Sequence, residues 1–158
     1  GLQETLDMWI KSIYPTNKDA KFYVFGVSKN HYSQKISFYK KHNIFFFGRV
    51  SKIKLRNIYS DSIGMICLGY DETFCLNALE GNSCGLPIFT FGKTALNELI
   101  HDKNNGMVSN DFSQLAFRLN KFLNSNLTIK NRYIKNSYNY SKKYTLDKII
   151  NHWIKLLK

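Results

Sequence analysis

The chain has 158 residues, a formal net charge of +12 and 44% hydrophobic residues, which favours one globular domain with a basic surface. It has no run of about 18 apolar residues, so a membrane-spanning helix is not expected. The three cysteines (Cys67, Cys75 and Cys84) have no metal-ligand spacing and favour a reducing cytoplasm. The first residues lack the features of a signal peptide, and their abrupt start suggests a piece of a longer protein.

Helices and strands alternate in the first half of the chain. Apolar residues at three- and four-residue steps predict a first helix, and nearly continuous apolar runs predict buried strands. Ser51 is placed to cap a helix that reaches Tyr59. The predicted elements are a helix over 2–14, a strand over 21–27, a helix over 31–42, a strand over 44–47 that ends at Gly48, the Ser51-capped helix, and a strand over 63–68.

The same alternation continues in the second half. A short helix with Leu76 and Leu79 on one face is expected to close at Gly81, Gly85 and Pro87. There follow a strand over 87–91, a helix opening at 93–94, a turn over 104–106 into a strand at 107–108, a helix capped by Asp111, a basic and aromatic segment to about 144, and an amphipathic helix over 146–157. This rhythm predicts an α/β, doubly wound domain: a mainly parallel sheet of about five or six strands with helices on both faces.

Two carboxylates flank the start of the central helix. Glu72 lies on the loop that leaves the strand at 63–68, and Glu80 lies about one turn inside the helix. Ligands of open parallel sheets bind at this edge, where helix N-termini offer N–H groups to phosphate oxygens. The pair could therefore hold sugar hydroxyls on either side of a phosphate. The structural alternative is a glutamate that only complements the helix dipole.

The amino-acid sequence of this stretch resembles a known family motif. Glu-Thr-Phe-Cys-Leu-Asn-Ala-Leu-Glu at 72–80, followed by Ser-Cys-Gly-Leu-Pro-Ile at 83–88, resembles the signature of the retaining, GT-B-type glycosyltransferases of family 4. The segments at 44–62, 89–100, 102–108 and 144–157 resemble further parts of that family in order. The resemblance implies that residues 1–158 are a C-terminal, donor-binding domain, a Rossmann-like half of a GT-B fold, and that the N-terminal acceptor domain is absent.

The resemblance also implies roles for individual residues. Glu72 would hold the hydroxyls of the donor sugar as the catalytic residue, and Glu80 would bind the ribose. The remaining donor-binding residues would be the backbone amides of Phe74, Cys75 and Leu76 at the diphosphate, the turn of Gly48, Arg49 and Val50 at the base, and Lys93 at a phosphate. The family usually has a Gly where this chain has Cys75, and an Arg and a Lys just before the position of Gly1. No cofactor and no metal are expected beyond the nucleotide diphospho-sugar donor.

The leading hypothesis is therefore a retaining hexosyltransferase of polysaccharide biosynthesis. Residues 1–158 alone would bind the nucleotide but would not catalyse sugar transfer. Its acceptor, a sugar or a lipid-linked sugar, would be held by the missing domain. One alternative is a basic α/β binding module for nucleic acid or an anionic membrane surface, with nucleic acid the less favoured partner. Another is a nucleotide-sugar epimerase or phosphorylase of the same architecture. The expected location is the cytoplasm, with the inner face of the membrane as a candidate surface.

Overall fold

The alternation of helices and strands is confirmed by the computed structural model, which describes residues 1–27, 32, 34–69, 73–93 and 95–157. Its strands are β1 (Phe22–Phe25), β2 (Ile44–Gly48), β3 (Met65–Ile66), β4 (Ile88–Thr90) and β5 (Gly106–Val108). Its helices are α1 (Leu2–Met8), α2 (Ile36–Lys41), α3 (Lys52–Ser60), α4 (Leu76–Ser83), α5 (Leu96–Leu99), α6 (Phe112–Leu123), α7 (Leu127–Ser141) and α8 (Leu146–Leu156). The first helix continues as a π-helical segment, Trp9–Ile13, and a 3₁₀ turn, Lys142–Tyr144, joins α7 to α8.

All strand pairs are parallel, as expected for a doubly wound domain. The strands form two hydrogen-bonded ladders, β1–β2 and β3–β4–β5, rather than one sheet of five or six strands. The break falls at β3, whose regular part is only two residues long and pairs with β4. A single apolar core that includes Val24 and Ile44 of the first ladder and Phe89 of the second joins the two.

Helices cover both faces of the three-stranded sheet. Ile88 and Phe89 follow each other on β4 and therefore point to opposite faces. Phe89 packs in the core cluster that contains residues of α1 and α6, whereas Ile88 packs in a second cluster with residues of α4 and α5. This arrangement confirms the predicted layers.

The predicted helix starts are supported by side-chain caps. The Ser51 hydroxyl accepts a hydrogen bond from the Lys54 amide at 3.3 Å, at the start of α3. Asp111 accepts one from the Gln114 amide at 2.7 Å, at the start of α6. Each bond satisfies an N–H group that the first helical turn leaves without a partner.

The short central helix differs from its prediction in how it packs and ends. Leu76 is 64% exposed, and the buried positions of α4 are Ala78, Gly81 and Asn82. Gly81 lies inside the helix rather than at its end. The helix packs close to the sheet at this residue, since an added Cβ would lie 2.8 Å from the Met65 sulfur of β3. The close approach of α4 to the sheet thus selects small residues over leucines.

A Schellman motif ends α4. The amide of Gly85, in the left-handed region at φ 85°, donates to the Asn82 carbonyl, and the Leu86 amide donates to the Gly81 carbonyl. These two hydrogen bonds satisfy carbonyl groups at the end of the helix. The predicted closing role of Gly85 is therefore confirmed, and that of Gly81 is wrong.

The basic, aromatic segment forms α7 and packs its rings on the domain. Tyr133 and Tyr140 are buried, whereas Tyr138 is exposed. The last predicted helix is present as α8, but its apolar residues are exposed by 41% or more: Leu146, Ile149, Ile150, Trp153, Ile154 and Leu156. Of the described helices, none has the length and apolar character needed to cross a bilayer.

Candidate functional site

The central candidate is the N-terminus of α4, which follows the carboxyl end of β3 across residues 67–75. Glu72, the predicted catalytic residue, lies outside the described residues, as does Asp71 beside it. Phe74 is 38% exposed, and its ring meets the Tyr144 ring edge-on at 5.7 Å between centroids. The C-terminal segment therefore reaches the loop that carries the predicted amides.

Cys75 is the N-cap of α4 and adopts the left-handed conformation, with φ 59° and ψ 64°. A residue other than glycine pays roughly 1–2 kcal/mol for this conformation. Among the described residues, no side chain caps this helix start, and N–H groups at a helix start favour an anion. The conformation explains why glycine suits this position, since glycine adopts it without steric cost.

The Cys75 side chain points into the domain. It is 5% exposed, and its sulfur lies 3.2 Å from the sulfur of Cys67. The side chain therefore lies on the inner side of the helix start. Sequence reasoning missed this contact, because the two cysteines are eight residues apart and nothing in their spacing signals that they meet.

Glu80 lies on the exposed side of α4, one turn from the helix start, as predicted. Tyr59, near the end of α3, faces the same region. Partial burial, reinforced by the negative charge of Glu80 and the neighbouring thiols, raises the pKa of Tyr59 to about 12. The sequence places Tyr59 only at the end of the Ser51-capped helix, and nothing in the helical periodicity signals its electrostatic interaction with Glu80.

The predicted turn at the base lies at the carboxyl end of β2. Gly48 has φ 66°, and its carbonyl accepts a hydrogen bond from the Gly26 amide at 2.8 Å. This bond ties the turn to the end of β1. Arg49 is exposed and Val50 is half-buried. The turn thus presents a cation at the sheet edge where parallel strands end.

The loop after β4 lies next to the loop after β3, because β3 and β4 are neighbours in the sheet. Gly92 has φ 59°, and its amide donates to the Thr90 hydroxyl at 3.2 Å. Lys93 follows and is exposed. The start of α4 after β3 and Lys93 after β4 therefore lie at the carboxyl edge of one sheet, whereas the turn of Gly48, Arg49 and Val50 lies at the carboxyl end of a strand in the other ladder. Among the described residues, no cluster of three His, Cys, Asp or Glu side chains could hold a metal ion.

A sequence model described as "Glycosyl transferases group 1" matches residues 3–140. The chain belongs to this family. No curated protein sequence matches it significantly. The recognition made from residues 72–88 is thereby confirmed, and the signature stretch lies within the matched range.

Solved structures of glycosyltransferases share the fold of this group 1 chain. A mutant of S. aureus TarM in complex with fondaparinux, alpha-GlcNAc-glycerol and UDP superposes with a TM-score of 0.82 at 16% identity, over 98% of this chain and 32% of that one. The pneumococcal O-GlcNAc transferase GtfA in complex with UDP and GlcNAc gives 0.75 at 20%, over 96% and 32%. The C-terminal domain of a group 1 glycosyl transferase, LpcC of Francisella tularensis, gives 0.76 at 22%, over 92% and 80%.

The chain spans about a third of the length of TarM and GtfA but matches most of the isolated C-terminal domain. At these identities the likeness establishes the fold. The predicted α/β class with a GT-B-type architecture is confirmed.

Proposed function

We propose that this chain is the donor-binding domain of a glycosyltransferase, which transfers a sugar from a nucleotide diphospho-sugar to an acceptor. The observation that carries the proposal is the start of α4, which follows the carboxyl end of β3 and presents helix-start amides with the exposed Glu80 one turn away. Membership of the group 1 family supports it. The acceptor, and a residue that would act on it, are expected in other parts of a longer protein.

The diphosphate would lie against the amides of Phe74, Cys75 and Leu76. Helix-start amides favour negative charge, and fixed donors stabilise a leaving diphosphate without reorganising during the reaction. Lys93 on the neighbouring loop would add a positive charge. These groups supply the electrostatic stabilisation themselves, so the proposal needs no metal and no further cofactor.

The two carboxylates would hold the sugars of the donor. Glu80 would accept hydrogen bonds from the ribose hydroxyls, because one carboxylate matches a pair of neighbouring hydroxyl donors. Glu72 would do the same for the transferred sugar, and the turn of Gly48, Arg49 and Val50 would border the base. Retention of configuration is the expected outcome, and it would require the acceptor to attack from the face of the sugar that the leaving diphosphate occupies.

A thermal-shift panel of UDP, GDP, ADP, TDP and CDP tests the proposal. UDP leads the panel because the TarM and GtfA structures contain it. A ligand at about 100 times its dissociation constant adds roughly 2.7 kcal/mol of stability, which is visible as a higher unfolding midpoint. We expect one base to be preferred and its shift to disappear in Glu80→Gln.

The matched control is Glu4→Gln, which removes the same charge from an exposed position on α1. It should keep the nucleotide shift. No shift with any of the nucleotides, in this chain and in a longer protein with the preceding residues, would refute donor binding.

We propose the inner face of the membrane as the surface that such an enzyme contacts. The support is α8, whose apolar residues are exposed while Lys148 and Lys155 lie on its other side. A basic amphipathic helix of this kind binds anionic lipid by burying its apolar face at the interface. A lipid-linked acceptor would be reached from there.

Co-sedimentation with phosphatidylglycerol and phosphatidylcholine vesicles tests this partner. We expect binding to the anionic vesicles alone, and its loss when Ile150 and Trp153 are both changed to Ser. Ile53→Ser, at an equally exposed apolar position on α3, is the control and should bind as the wild type does. Equal binding to both lipids, or no effect of the α8 changes, would contradict the membrane proposal and favour a protein surface as the cover of α8.

A further inference from the structure

A cavity of about 380 Å³ opens between α6 and α7, away from the candidate donor site. Its lining includes Lys103 and Met107 near the start of β5, the second half of α6 and the first half of α7. Since α6 runs back from the carboxyl end of β5, this cavity lies toward the amino ends of the strands. It shares no residue with the candidate site, and its volume falls within the roughly 300–1,000 Å³ of small-molecule sites.

The floor of the cavity is apolar and formed by buried rings. Phe122 and Tyr133 are 2% and 3% exposed, and their rings meet edge-on at 5.6 Å between centroids. Met107 completes the floor. Phe117 and Ile129 form walls that remain 67% and 37% exposed. An apolar group that entered would displace water mainly from Phe117 and Ile129, because Phe122 and Tyr133 have little exposed surface, and the gain is proportional to the area covered.

The rim of the cavity is cationic. It carries Lys103, Arg118, Lys121 and Arg132. Arg118 forms a salt bridge with Asp102, and within the described part of the chain no salt bridge engages the other three. Three positive charges therefore surround an apolar opening without a matching carboxylate. An anion would reduce their mutual repulsion, and Arg132 can bind a carboxylate or phosphate through two parallel N–H bonds.

We propose that this cavity binds one molecule of a single-chain anionic amphiphile. Its alkyl chain would cover the floor formed by Met107, Phe122 and Tyr133, and its carboxylate or phosphate would lie at Lys121 and Arg132. A neutral apolar molecule would leave the rim charges unbalanced, and a small inorganic anion would leave the floor wet. Only a molecule with both parts matches both surfaces.

Isothermal titration calorimetry with decyl phosphate, kept below its micelle concentration, tests this proposal. We expect saturable binding of one molecule per chain, and at least tenfold weaker binding of both inorganic phosphate and decyl maltoside. Binding should weaken as salt rises, because exposed charges are screened. The titration is repeated with phosphatidylglycerol vesicles present, to distinguish two sources of the ligand. If the cavity takes lipid from a membrane, the vesicles compete with decyl phosphate for binding. If the cavity takes only free monomers, the vesicles do not compete.

Two sets of variants locate the binding. Changing Lys121 and Arg132 together to Glu should weaken decyl phosphate at least tenfold. The same charge change at Lys40 and Lys41, both exposed on α2, which contributes no residue to the cavity lining, should leave it within about twofold, since long-range charge effects are screened. Phe117→Ser, at a position 67% exposed, tests the apolar wall with little risk to folding and should also weaken binding.

Each variant is first checked for an unchanged unfolding midpoint. The exposed face of α8 is the competing site, so the Ile150→Ser, Trp153→Ser double variant is titrated in parallel and should bind normally. Loss of binding in that variant, unsaturable binding, or full binding in the Lys121→Glu, Arg132→Glu variant would overturn the proposal. A nucleotide shift that persists in the cavity variants shows that the donor site is independent.

Discussion

Two buried amides connect α4, the helix that carries Glu80, to the turn before β5. Asn82 and Asn105 are at most 1% exposed. The Asn105 amide group donates to the Asn82 side-chain oxygen at 2.6 Å and to the Leu99 carbonyl at 2.8 Å. Its oxygen accepts from the His101 amide at 2.8 Å. Asn105→Ala would therefore remove the partner of three polar groups, of which the Asn82 oxygen and the Leu99 carbonyl are buried and the His101 amide is part-buried.

The expected cost follows from these three bonds. A typical hydrogen bond contributes roughly 0.5–1.5 kcal/mol net, and a buried group left unsatisfied costs roughly 1–3 kcal/mol. We expect Asn105→Ala to lower the free energy of unfolding by about 3 kcal/mol, and more if no water enters the space. In a chain of this length, such a loss lowers the midpoint by about 6–12 °C.

Urea denaturation followed by circular dichroism measures the effect. Asn104→Ala, the same change at the neighbouring exposed residue, is the control and should stay within about 0.5 kcal/mol of the wild type. Because Asn82 and Asn105 share a bond, the double alanine variant should lose less than the sum of the single losses, by about 1 kcal/mol. If Asn105→Ala were as mild as Asn104→Ala, or the two losses simply added, the network would not hold α4.

Three further outcomes are expected. Gly106→Ala should destabilise the domain by about 1–3 kcal/mol or more, because an added Cβ would overlap main-chain atoms of β4. The control is Gly26→Ala, whose added Cβ meets only open space although the residue has φ 80°. In urea denaturation this control should lower the free energy of unfolding by no more than about 1–2 kcal/mol. Burial raises the pKa of Tyr59 to about 12, so the folded state holds its proton more tightly than the unfolded state, and stability should fall between about pH 10 and 12; Tyr59→Phe should flatten that part of the pH profile, and an unchanged slope would contradict the assignment. Diamide should oxidise the thiols of Cys67 and Cys75 to one disulfide, since their sulfurs lie 3.2 Å apart, and should leave Cys84 as a thiol. Peptide mass spectrometry identifies the linked cysteines. A disulfide that includes Cys84, or no disulfide, would show that the contact does not form in solution.

The elements that local chemistry determines were predictable from the sequence. Ser51 and Asp111 cap their helices as expected, because a short polar side chain before an apolar run satisfies amides that any helix start leaves open. The runs at β1, β2 and β4 were found because parallel strands are buried on both faces and read as continuous apolar stretches. These signals involve neighbours in the chain and need no knowledge of the fold.

The packing of α4 could not be predicted in the same way. Periodicity placed Leu76 and Leu79 on one face, but the distance between helix and sheet is a tertiary property. Since Gly81 lies against the Met65 sulfur, α4 packs too close for leucines to fit between. The left-handed conformation of Cys75 is likewise hidden, because nothing in a cysteine signals a positive φ.

The terminal helix shows where a sequence pattern loses its meaning. Leu146, Ile149, Ile150, Trp153 and Ile154 have the spacing of a core-facing helix, and the helix forms as predicted, yet each of these side chains is 41–71% exposed. Periodicity predicts which face of a helix is apolar, but it does not predict which surface packs against that face. An isolated helix of this length is marginal in water, so its stability depends on packing. The described residues do not cover the apolar face of α8, and the vesicle experiment tests the proposal that an anionic membrane does.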